Sequence, residues 1–505
     1  MLDWRICSRA RLARDARFDG KFFIGVLTTK IYCRPICRSR TSKECNVRYF
    51  PSAAAAVEAG FRPCLLCRPE LSPELPARAG TRNTVIRALR LINEFGLEGG
   101  VEALADQLGI GTRHLSRLFQ RHLGASPSAV ARTRRLQFAK KLIDQTNLSM
   151  TQIALASGFG SVRRFNGTVR SVYDRTPSAI RGSVRKILCE PKNQYLLHLS
   201  FRPPYDWKRL LDFLASHAVP GVEFVEGSVY RRSISLNQLR GYVEVSLRST
   251  GNELDVRVEI GEPCLLFVII ERVRAIFDLD ADWTEIARTL ESNPVLRSYV
   301  KSNPGLRVPG CWDGFELATR AIVEHQMGTI GVDRTGTLVK SFGELFAPAS
   351  GLTHLFPTPE ALAHADLESI GLTKRQASSI QDLSRAVCSG QVKFQAVVDH
   401  NALLGRLSEL HGFGESTAQW LSMRVLRDPD AFPFLDPDLG RAFGLSNSRE
   451  LEKLSFSWRP WRSYAALYAL SLVGEIRGQD RGALDHTAQT RLTILARDRT
   501  VTKLR

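Results

Sequence analysis

The sequence predicts a multidomain α+β protein, and three observations carry the prediction. Four cysteines lie in two close pairs near the start of the chain. A helix-turn-helix pattern occurs twice in tandem, and period-two alternation gives way to helical spacing in the second half. With 505 residues the chain exceeds one ordinary domain. Four parts are expected. They are a small metal-bound domain over 1–76, an all-α tandem helix-turn-helix domain over 80–186, an α+β subdomain over 195–275, and an all-α helix-hairpin-helix domain over 276–490.

Cys33 and Cys37 read C-x3-C, and Cys64 and Cys67 read C-x2-C, with 26 residues between the pairs. That spacing suits one tetrahedral Zn2+ ion held by four thiolates. The first pair sits in Tyr32, Cys33, Arg34, Pro35, Ile36, Cys37 and Arg38, and the second follows Gly60, Phe61, Arg62 and Pro63. These flanks resemble the zinc domain of the Ada family, bacterial sensors of alkylated DNA. The resemblance implies that Cys33 takes a methyl group from a DNA phosphotriester, with Arg34 and Arg38 on the flanking phosphates. The chemistry is coherent. A methyl phosphotriester is a weak electrophile, a free thiol with a pKa of about 8.5 is mostly protonated at neutral pH, and zinc removes that proton. A purely structural zinc staple is the competing reading, and zinc is required in both.

The net charge of +19 is unevenly placed: residues 1–190 hold 33 Lys and Arg against 14 Asp and Glu, whereas residues 191–505 hold 37 of each. Affinity for a polyanion by counterion release therefore belongs to the first part. The second part must use local contacts. The other six cysteines (Cys7, Cys45, Cys189, Cys264, Cys311 and Cys388) show no pairing pattern, which fits a reducing compartment. No apolar run reaches the length of a membrane span, and the chain has no N-terminal apolar leader. A cytoplasmic, nucleoid-associated monomer with no membrane partner is expected.

Residues 84–95 carry helical spacing through Val85, Ile86, Leu89 and Ile92. A short helix over 101–108 then ends at Gly109 and leads into a basic second helix with Arg113, His114 and Arg117. The pattern recurs: residues 153–157, Gly158, then Ser161, Arg163 and Arg164, closed by Thr176, Pro177, Ser178, Ala179, Ile180 and Arg181. This tandem resembles the AraC-type DNA-binding domain. The resemblance implies that both second helices enter successive major grooves of double-stranded DNA. Arg113, His114 and Arg117 would face DNA in the first unit, and Ser161, Arg163 and Arg164 in the second. RNA polymerase is the further partner such a regulator implies. Gly167 inside the last helix is a departure that costs about 1 kcal/mol against alanine.

Residues 242–247 and 254–260 alternate with period two and predict strands. From about residue 280 the spacing is helical. Gly412, Phe413 and Gly414, followed by Ser416 and Thr417, read as a helix-hairpin-helix. Its glycines and helix-start amides suit a DNA phosphate. About twenty residues on come Leu435, Asp436, Pro437, Asp438, Leu439 and Gly440. Together with residues 203–207, 306–316 and 458–465, this segment resembles the AlkA family of alkylpurine DNA glycosylases.

The resemblance implies base flipping and a carboxylate that supports an oxocarbenium-like sugar; Asp438 is assigned to it, with Asp436 as runner-up and turn residue. Lyase-active relatives carry a lysine where this chain has Ser416, so a monofunctional glycosylase is expected. Trp420 should line an aromatic pocket for a cationic base, with Trp312 and Phe315 as neighbours. Leu470 stands where a pocket tryptophan is expected. The turn at His325, Gln326 and Met327 should fill the vacated stack, with Gln326 in place of an apolar wedge. The chain lacks the Pro-Cys-His-Arg motif of O6-methylguanine repair. The overall expectation is a fused alkylation-response protein. The competing readings are a tethered glycosylase and a regulator with an inactive glycosylase part.

Overall fold

The computed structural model describes residues 3–73, 81–95, 97, 99–182, 193–324, 329–349, 351–394, 400–410 and 413–479. The N-terminal part is built on a four-stranded sheet ordered β3-β1-β2-β4: β1 (Phe23–Val26), β2 (Ile31–Cys33), β3 (Val47–Phe50) and β4 (Arg62–Pro63). β1 pairs antiparallel with both β2 and β3, whereas β4 runs parallel to β2 with Tyr32 opposite Pro63. The amide of Cys64 donates to the Tyr32 carbonyl at 2.9 Å. This one parallel step brings two cysteine pairs 26 residues apart side by side. Gly25 is required here, because a Cβ would lie 2.5 Å from the Phe50 ring and 2.8 Å from that of Phe61.

Seven helices follow: Thr81–Phe95, Gly100–Gln107, Thr112–Leu123, Pro127–Gln145, Met150–Ala156, Val162–Tyr173 and Pro177–Gly182. Both helix-turn-helix turns use a left-handed glycine, Gly109 at φ +64° and Gly158 at φ +72°. Ser126 caps the long central helix with Pro127 at its first position, and Ser149 with Gln152 forms a capping box. Arg181 closes the tandem by donating to the carbonyls of Ile143, Thr146 and Leu148. Gly167 sits in the middle of an unbroken helix, on a face where an added Cβ would meet open space.

The alternating segments fold as β8 and β9 of a five-stranded antiparallel sheet ordered β5-β9-β8-β7-β6. Its strands are β5 (Gln194–Ser200), β6 (Glu223–Glu226), β7 (Val229–Leu236), β8 (Leu239–Leu247) and β9 (Glu253–Ile260). Helices from Leu266–Ile276 to Arg462–Gln479 make up the rest.

The parts do not behave as beads on a string. One hydrophobic cluster runs from Leu136, Leu142 and Phe165 through Leu197 and Val256 of the sheet to Ile269 and Trp312. Phe138 and Phe267 meet edge to face across the junction, with ring centroids 4.7 Å apart. Arg202, fully buried, donates to the carbonyls of Asp19 and Asp280 at 2.8 Å and to that of Pro73 at 3.3 Å. Lys21 pairs with buried Asp282 at 2.6 Å. Such buried, satisfied polar contacts rigidify a junction.

Candidate functional site

The four predicted ligands converge. The Sγ atoms of Cys33, Cys37, Cys64 and Cys67 all lie within 4.8 Å of one another. A tetrahedron with zinc–sulfur bonds of about 2.3 Å needs sulfurs about 3.8 Å apart, so the donor set fits one ion with modest contraction. Outer contacts are in place: the Arg34 amide donates to Cys67 Sγ at 3.3 Å, and Ser39 Oγ lies 3.1 Å from Cys37 Sγ. Hydrogen bonds from Cys33, and then Cys64 and Cys67, hold the Cys37 thiol far below its ordinary pKa. Cys33 is buried, and beside it is a depression of about 40 Å³ lined by Arg11, Cys37, Arg40 and Ser42 among others. A methyl-sized group fits there.

Arg34 corrects the sequence expectation. Its side chain is 6% exposed, forms a two-pronged ion pair with buried Asp19, and donates to the Cys67 carbonyl at 3.2 Å. A guanidinium so engaged buttresses the metal centre and does not reach a phosphate. Arg38 is exposed. Asp19 was not singled out from sequence, because nothing local marks its pairing across 15 residues.

On the first recognition helix Arg113 and Arg117 are exposed, and His114 is half-buried with Nδ1 2.9 Å from an Arg117 nitrogen. Arg163 and Arg164 are exposed on the second. Ser161 is that helix's N-cap and accepts from the Arg164 amide at 3.2 Å, so its hydroxyl has a structural task as well as an exposed position.

Gln326, Met327 and Gly412 lie outside the described residues. Gly414 caps the helix Glu415–Arg424 and faces open space. Ser416 is half-buried. The Thr417 side chain is buried, and its backbone amide lies in the helix's first turn.

Asp436 and Asp438 separate cleanly. Asp436 is the N-cap of the helix Pro437–Ala442, and its Oδ1 accepts from the amides of Asp438 (2.9 Å) and Leu439 (3.4 Å). Asp438 stands in the first turn with its carboxylate part-exposed and ion-paired to Arg441. The preceding loop is anchored from a distant helix. Arg462 pairs with Asp430 at 2.8 Å, the Ser463 hydroxyl donates to the carbonyls of Asp428 and Ala431, and the Phe432 amide donates to Gln419 Oε1 at 3.1 Å. The segment at 458–465, noted from sequence only for its resemblance, therefore fixes the loop that carries Asp438.

The three aromatic residues assigned to one pocket do not meet. Trp420 is half-buried and packs with Phe432, Phe434, Leu439 and Leu470. Trp312 and Phe315 line a separate cavity of about 610 Å³ that includes neither Trp420 nor Asp438. The Trp312 ring is flanked by Arg272 and Arg232, with guanidinium carbons 5.1 and 5.6 Å from its centroid. A ring already covered by two cations is unsuited to a cationic base.

Comparison with known proteins finds three family models on successive stretches of the chain. The model of the metal binding domain of Ada matches residues 6–70, a helix-turn-helix domain model matches 104–183, and the AlkA N-terminal domain model matches 196–313. These define a DNA-acting protein that joins a sensor-type zinc domain and a regulator-type DNA-binding domain to a glycosylase. A Mycobacterium tuberculosis (strain H37Rv) protein, "Probable bifunctional transcriptional activator/DNA repair enzyme AlkA", is 38% identical over 473 residues, 92% of this chain and 95% of its own. DNA-3-methyladenine glycosylase 2 of Escherichia coli K12 is 28% identical over 274 residues, 54% of this chain and 95% of that enzyme. The bifunctional activator and repair enzyme Ada of the same organism is 37% identical over 148 residues, 29% of this chain and 40% of that protein. The chain belongs to the family of bifunctional transcriptional activator/DNA repair enzymes of the AlkA type. No described helix is long and apolar enough to cross a membrane.

Proposed function

We propose that this chain excises alkylated purines of the 3-methyladenine type from double-stranded DNA, with Asp438 as the catalytic carboxylate. It also accepts a methyl group from a DNA phosphotriester on Cys33. One observation carries the first assignment: Asp436 is committed to two backbone amides as a helix cap, whereas Asp438, equally half-buried, pairs with the exposed side chain of Arg441. An alkylated purine already carries positive charge, so its N-glycosidic bond is weak. Once the nucleotide is flipped out, the Asp438 carboxylate stabilises the developing positive sugar and orients water toward C1′. Ser416 cannot form a Schiff base, so the abasic strand stays intact.

At the other site, the Cys33 sulfur forms a bond to the methyl carbon. The carbon–oxygen bond breaks, and the ordinary phosphodiester anion leaves. Cys33, Cys37, Cys64 and Cys67 would hold the zinc ion, whose chemistry would be to favour their deprotonated thiolate forms. The product thioether carries one negative charge fewer, so repulsion of the DNA backbone falls and affinity rises. Exposed Arg38, Arg113, Arg117, Arg163 and Arg164 support DNA binding through the N-terminal and tandem helical parts. A cytoplasmic, nucleoid-associated monomer that also meets RNA polymerase is the corresponding cellular picture.

The test uses one methylated duplex and two readouts. Asp438→Asn should lower the rate of methylated-base release by about 10²–10³ while duplex affinity stays within twofold. Peptide mass spectrometry of the zinc-loaded protein should find one added methyl on the peptide containing Cys33. Unchanged release by the Asn variant would remove Asp438 from the mechanism, and an unmodified Cys33 would leave the zinc centre structural.

A further inference from the structure

A cavity of about 130 Å³ opens where three of the four parts meet. Two turns of the helix Pro127–Gln145 supply Arg134 and Lys141, the helix Leu266–Ile276 supplies Glu271 and Arg274, the N-terminal part supplies Glu70, and the helix Thr81–Phe95 supplies Asn93. The acids are already engaged. Glu70 pairs with Arg68 at 3.3 Å and Lys140 at 3.4 Å, and Glu271 accepts from Asn93. Arg274 pairs with Asp280, and Arg134 donates to Asn93 and to the Leu89 carbonyl. Lys141 stands apart. Its side chain is 7% exposed, and among the described residues no hydrogen bond or ion pair satisfies its ammonium. A buried cation with no hydrogen-bonded or ion-paired partner is costly and calls for a counter-charge.

We propose that this junction cavity is a binding site for a small free oxyanion of the phosphate class, held by Lys141 with Arg134 and Arg274. The donor set is the reason. A lysine offers three donors and no acceptor, an arginine five and none, and here they approach from two helices around a space whose carboxylates have other partners. A tetrahedral oxyanion has acceptor oxygens in diverging directions and matches that arrangement. A single ordered water needs only about 10–15 Å³, so the space takes a phosphate, whereas a nucleotide needs a pocket of about 300 Å³ or more. Burial first, and then nearby Arg274, outweigh the more favourable Glu253 and Glu271 and push the Lys141 pKa down to about 7; a bound anion would favour its charged form. Because the walls belong to all three parts, an occupant ties them together and stabilises the assembled chain.

The test is thermal unfolding of the full zinc-loaded chain in inorganic phosphate, in sulfate, and in chloride at matched ionic strength. The native protein should gain about 2–4 °C in Tm, saturably, in phosphate and sulfate over chloride. Lys141→Met should lose that increment, whatever its own baseline Tm, with base release unaltered. No increment in the native protein, or an equal increment in the variant, would overturn the site.

Discussion

The metal centre and the base-excision site are built in opposite ways. At the metal centre four ligands come from two short segments, and one parallel strand pairing places them together. At the proposed excision site Asp438 stands on a six-residue helix, and the loop before it is held by Gln419, Arg462 and Ser463 from two other helices. The ligands of the first are set by local spacing. The second depends on packing between elements that the sequence does not place side by side. The first should therefore fail as a unit when its ion leaves, and the second should erode contact by contact.

Chelation gives the largest expected effect. Binding a structural zinc contributes about 10–16 kcal/mol in small metal domains, far more than the core of Phe23, Tyr32, Phe50 and Phe61 can replace. Stripping the ion should abolish hydrogen-exchange protection across residues 23–67, while the protein still releases methylated bases from a short duplex at no less than a tenth of its former rate. A parallel collapse of base release would break the contrast, and would show that the Arg202 junction makes the two regions one folding unit.

A smaller effect is expected at Asp19. Asp19→Asn leaves the buried Arg34 guanidinium without its charge partner, at a cost of about 3–5 kcal/mol. Zinc affinity should fall as the Arg34 contacts to Cys67 loosen. The measurement is the midpoint of a zinc-competition titration beside the Tm. An unchanged midpoint would leave Arg34 a buried residue of the fold with no part in holding the metal.

These cases show what was legible in the sequence. The four ligands, the two left-handed glycines of the helix-turn-helix units, and strands β8 and β9 follow from spacing, and each is local. The preference for Asp438 over Asp436 comes from the resemblance alone, and the capping role of Asp436 is visible only in the structure. Arg34 was misjudged because sequence gives its charge but not Asp19 opposite it. The pocket grouping failed for a similar reason. Trp312 and Trp420 are both large aromatics in the matching segments, yet they pack into different clusters. The shared core between Phe138 and Phe267 was equally hidden, because helical spacing marks an apolar face without saying which neighbour covers it.

The smallest effect sharpens the account of the excision site. Arg441 pairs with Asp438 three residues away, with its own side chain 59% exposed and that of Asp438 29% exposed. Exposed pairs at this spacing contribute about 0–1 kcal/mol, so Arg441→Ala should leave Tm almost unmoved. Its consequence is chemical. The guanidinium partly neutralises the carboxylate proposed to face a developing positive sugar, so removing it should raise single-turnover base release about twofold to tenfold. If Asp438 acts by charge, the gain should shrink as salt is added, because screening already weakens the pair in the parent protein. A fall in rate at every salt concentration would instead assign Arg441 to holding the DNA backbone, and the excision site would then contain a phosphate contact that spacing gave no reason to suspect.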